Sequence, residues 1–73
     1  METLADMVKR KRLANGQSQN QAALQLGVSQ TTFARWEVGD GVPQARQIPR
    51  IARFLGIKPA EVVNMLVSDD GPQ

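Results

Sequence analysis

Near the middle of the chain, Gln30, Thr31, Ala34 and Arg35 stand at i, i+1, i+4 and i+5. If the stretch is helical, that spacing puts them on one face. Their chemistry is that of groove readout. A carboxamide offers a donor and an acceptor to adenine, a guanidinium offers a fork of donors to guanine, and Ala34 or the Thr31 methyl can touch a thymine methyl. The opposite face carries Phe33, Trp36 and Glu37 at i, i+3 and i+4. Burying the two rings turns the Gln-Thr-Ala-Arg face outward. Such side chains are common on any solvated helix, so their weight comes from what precedes them.

What precedes them is a second helical pattern and a tight turn. Ser18 followed by Gln21 fits a capping box, and Ala22, Ala23 and Leu26 then share an apolar face. Gly27 stands where a helix commonly ends in a left-handed residue, and Val28 can pin the turn to a core. Ser29 caps the next helix, which begins near Gln30. Two helices joined by so short a turn cross steeply, and the small Ala22 and Ala23 allow a close approach. The pattern predicts a helix-turn-helix.

The remaining elements must hold this pair. Residues 3–15 read as a first helix whose stripe runs Leu4, Val8, Arg12, ending at Asn15-Gly16. A cation on a buried stripe needs a partner, and Glu37, on the ring side of the reading helix, is the nearby acid. Residues 39–43, with two glycines and Pro43, form a loop beside the reading helix, and Arg46 just beyond it is placed to touch a phosphate. A fourth helix is expected over residues 47–55, tolerating Pro49 in its first turn and burying Ile48, Ile51, Ala52 and Leu55. Pro59 opens a fifth, over residues 59–67, with Val62, Val63 and Leu66 inward and Met65 and Val67 left over at the surface. Residues 1–67 then make one domain, and residues 68–73 a disordered acidic tail.

Composition narrows the function. Of 73 residues none is Cys or His, so disulfides and the usual zinc sets are excluded and no cofactor is implied. Ser18 and Ser29 lack a base and are better explained as caps than as nucleophiles, so catalysis is not expected. No apolar run approaches the ~20 residues of a membrane span, and no signal region opens the chain, which points to the cytoplasm. The formal net charge is only +2, yet all nine Lys and Arg lie within residues 9–58, where Glu37 and Asp40 are the only acids. That body carries nine cations against two anions, +7, and suits a polyanion. A membrane surface would require a basic helix with a wide apolar face, which is absent here. Lys9, Arg10 and Lys11 form a basic run of which one is expected near a phosphate, without the sequence saying which.

The run LANGQSQNQAALQLGVSQTTFARWEVG resembles the DNA-binding domains of the lambdoid phage repressor and Cro class, the XRE-like family. Gly16, Ser18, Gln19, Ala23, Leu26, Gly27, Val28, Ser29, Thr32, Arg35, Trp36, Glu37 and Gly39 carry the match, which spans roughly residues 4–67. The departures are Ala22 for a larger aliphatic, Gln21 for an acid, Phe33 for a β-branched residue and Ala34 for Ser; Ala22 with Phe33 reads as a small-large exchange. The resemblance implies an all-α, compact five-helix lambda-repressor-like domain. It implies that the first turn of the second helix, Ser18, Gln19 and Asn20, abuts the DNA backbone, with Gln19 as a phosphate clamp. It also implies a buried pair between Arg12 and Glu37.

The expected function is a sequence-specific double-stranded DNA-binding transcriptional regulator, repressor-like and bacterial or phage-encoded, binding a pseudo-palindromic operator as a homodimer. Phage, chromosomal, restriction-controller and antitoxin contexts stay open. So does the question of whether the chain is complete or part of a longer protein. The alternative is a protein-interaction or assembly module on the same scaffold, of antitoxin type, which a weak salt dependence of DNA binding would favour.

Overall fold

Where each helix starts and stops is written in short side chains and glycines. The computed structural model describes the backbone of residues 3–69 and the side chains of residues 3–66. Thr3 and Asp6 form a capping box, each side chain accepting from the other's backbone N–H, and launch α1, Leu4–Ala14. Ser18 and Gln21 repeat the device at α2, Gln19–Leu26. Ser29 accepts from the Thr32 N–H to start α3, Gln30–Glu37. A 3-10 turn, Ala45–Gln47, leads into α4, Ile48–Leu55, and α5 runs Pro59–Asp69. Among the described residues the regular elements are five α-helices and that one short turn, with no strand, as expected of an all-α domain.

The ends of α1 to α4 share one geometry. After α2, the Gly27 N–H returns to the Leu24 carbonyl and the Val28 N–H to the Ala23 carbonyl, with Gly27 at φ 72°. This closes the helix with a left-handed residue, which L side chains adopt at a penalty. Val28 is thereby turned onto the core, and α3 departs at once from Ser29.

All five helices contribute to a single core: Leu4 and Val8 from α1, Ala22, Ala23 and Leu26 from α2, Phe33 and Trp36 from α3, Ile51, Ala52 and Phe54 from α4, and Val62 from α5. Phe33 is its aromatic centre. Its ring lies 6.2 Å from Trp36 and 6.3 Å, edge-on, from Phe54, a geometry that aromatic quadrupoles favour.

Two inward faces differ from expectation. In α4, Phe54 is buried and Leu55 only half-buried, because the helix turns its Ile51–Phe54 edge toward the Phe33 ring. In α5, Val63 is exposed and Met65 half-buried, reversing the expected assignment. Val62, Met65 and Leu66 form the i, i+3, i+4 stripe that packs on the core, which leaves Val63 at its margin. The last helix reaches Asp69, so its end takes in the first two positions of the expected tail. The rest of that tail, and the side chain of Val67, lie outside the described residues.

Candidate nucleic-acid interface

With Phe33 and Trp36 fully inside, α3 is fixed in rotation. Gln30, Thr31 and Arg35 are exposed on its outer face, and Ala34 is half-buried beside them. Ser29, ahead of them, is occupied as the cap and also donates from its hydroxyl to Thr32 Oγ1 at 3.0 Å. Arg35 Nε stands 3.8 Å from the Asp40 carboxylate, with both side chains mostly in solvent. A pair so exposed is worth little and is readily exchanged for another partner.

A hydrogen-bonded node lies behind this face. Arg12 from α1 meets Glu37 from the end of α3 in a two-pronged pair, Nε to Oε2 and Nη2 to Oε1, the latter at 3.2 Å. Its Nη1 donates to the Gln17 carbonyl at 3.0 Å, so the guanidinium also holds the lead-in to α2. The Glu37 side chain is 3% exposed and that of Arg12 13%, which places the pair among those whose loss of one partner strands a buried charge. Burial pushes the Glu37 carboxyl up. The hydrogen bonds from Arg12 and Gln19, with the charges of Arg12 and Lys9, outweigh it and hold the group below the ordinary carboxylate range.

Gln19 links the node to the surface. Its Nε2 donates to Glu37 Oε1 at 2.9 Å, and its Oε1 accepts from Gln30 Nε2 at 2.8 Å. Neither bond is visible in the spacing of residues 19, 30 and 37, because both depend on how steeply α2 and α3 cross. Around it, Ser18 is exposed and engaged in its capping box, and Asn20 is exposed.

Arg46 is exposed in the 3-10 turn. With Gln47, Arg50 and Gly27 it lines a polar recess of about 320 Å³. Arg50 was not singled out from the sequence. Its guanidinium lies over Gly27, in the space a Cβ would fill, and its Nη1 donates to the Leu26 carbonyl at 3.5 Å. The i, i+4 spacing of Arg46 and Arg50 was the available signal. A larger recess, about 650 Å³, lies elsewhere, between the start of α1, the end of α3 and Leu66. It includes none of the exposed α3 residues.

Among the described residues no helix is long and apolar enough to cross a membrane. A family model described as a helix-turn-helix domain matches residues 3–65. No curated protein and no solved structure gives a significant match.

Proposed function

The chain belongs to the helix-turn-helix domain family, a DNA-binding fold, and from that premise we propose that it is a sequence-specific transcriptional regulator of the repressor type. In this reading α3 enters the major groove, where Gln30, Thr31, Ala34 and Arg35 meet base edges. Ser18, Gln19 and Asn20 at the start of α2, with Arg46, meet phosphates and set the register without specifying sequence. The observation that carries the reading is the rotation of α3: both rings are buried, and the glutamine and arginine face solvent.

The second N–H of Gln19 Nε2 is the one available to a phosphate, since the other is committed to Glu37. The protein binds as a homodimer on a pseudo-palindromic operator, and α5, with Val63 42% exposed, supplies the contact between copies.

Selection of bound duplexes from a random pool tests this directly. The expected outcome is a sequence with two related half-sites about one helical turn apart, ~34 Å. A pool that emerges with no preferred sequence overturns the proposal.

A further inference from the structure

An ionised carboxylate can only accept hydrogen bonds, so any group that touches it must offer a donor. Glu37, held ionised by Arg12, therefore fixes which end of the Gln19 amide faces it: the nitrogen. That leaves the Gln19 oxygen toward α3, and Gln30 must answer with its own nitrogen. The polarity follows from the chemistry of the groups, since a carboxylate admits no other order. At the end of the relay Gln30 has its carbonyl oxygen and its second N–H to present outward, one acceptor beside one donor. That pair matches adenine, which shows a donor at N6 and an acceptor at N7. Were the relay reversed, the Gln30 oxygen would be consumed inside and two N–H donors would face the groove. Those suit the two acceptors of guanine.

We infer that Glu37, though buried and out of reach of any base, is a positioning residue that sets Gln30 to read adenine over guanine. The inference rests on the readout proposed above and goes beyond it by giving the ion pair a part in specificity. A purely structural Glu37 would stabilise the domain and leave the choice of base at Gln30 untouched.

The test is selection from a random duplex pool with the wild type and three kinds of variant. Gln30→Ala and Arg35→Ala first identify the base pairs that depend on each side chain. Glu37→Gln then replaces the carboxylate by an amide that can donate as well as accept, so the relay loses its fixed direction. Because that variant strands the Arg12 charge, the double variant Arg12→Met/Glu37→Leu is run beside it; replacing a buried pair by apolar residues of similar volume is often tolerated. Folding is verified by thermal melting. The expected result is that adenine-over-guanine preference at the Gln30-dependent pair falls about fivefold or more, the lower end of what a bidentate base contact discriminates. The Arg35-dependent pair keeps its preference. A folded variant with unchanged preference at the Gln30 pair overturns the inference, and so does an equal loss at every pair. If the wild type selects no sequence, or Gln30→Ala alters no position, the readout assignment itself falls and takes this inference with it.

Discussion

Arg35 and Glu37 stand two residues apart and behave as opposites. Arg35 is 62% exposed with a distant partner, and Glu37 is sealed under bidentate hydrogen bonds. For Arg35→Ala, binding to the selected site is expected to weaken by about 1–3 kcal/mol, with relaxed preference at one base pair. A titration of single-substituted duplexes measures both effects. For Glu37 the expected effect is on pH dependence. Its carboxyl is depressed in the folded state, so its contribution to stability is complete above the ordinary glutamate range, ~4.3. That contribution fades as pH falls through the lower folded value. Urea midpoints of the wild type should therefore drop more steeply on acidification below about 4.3 than those of Arg12→Met/Glu37→Leu, and parallel curves would refute the linkage. Gly27 combines a left-handed φ of 72° with the guanidinium of Arg50 above it. Gly27→Ala is expected to cost about 1–2 kcal/mol from backbone strain alone, read as a lower denaturation midpoint, and to displace Arg50.

At the scale of elements, much was legible because the signals are local. Ser18 with Gln21, Ser29, Gly27 and Gly56 each act within a few residues of the boundary they set, and the helices begin and end there. Ser29→Ala is expected to destabilise the domain by about 1 kcal/mol through loss of the α3 cap, measurable by thermal melting. The Thr3–Asp6 box at α1 is of the same local kind. What the sequence did not reveal depends on how helices cross. Phe54 is buried where Leu55 was expected to be, and Met65 is half-buried against the core where Val63 was expected, because a stripe of apolar residues fixes a helix face only to within about one residue. The packed partner decides the remainder. The Gln19 relay was hidden for the same reason, since residues 19, 30 and 37 converge only once α2 and α3 are docked.

On the scale of the whole molecule, the radius of gyration is 11.4 Å, close to the ~11 Å expected of a compact chain this long. Small domains have little core to spare, and here one ring, Phe33, is shared by Trp36 and Phe54. Phe33→Ala is expected to remove about 3–5 kcal/mol, enough to unfold much of the population at ambient temperature. The charge distribution, legible in full from the sequence, sets the salt dependence of any DNA complex. Binding should fall steeply with added salt, and Arg46→Ala should lower the log–log slope by about 1 while leaving base preference intact. A slope unchanged by that substitution would remove Arg46 from the phosphate contacts. The knot of Arg12, Glu37, Gln17 and Gln19 ties α1, α2 and α3 together at one point. A proton taken up by Glu37 weakens the tie and, by letting the group donate as well as accept, frees the direction of the Gln19 and Gln30 amides in the same event. Acid should therefore lower the denaturation midpoint and the adenine preference at the Gln30-dependent pair over one and the same pH range, while the Arg35-dependent pair keeps its preference.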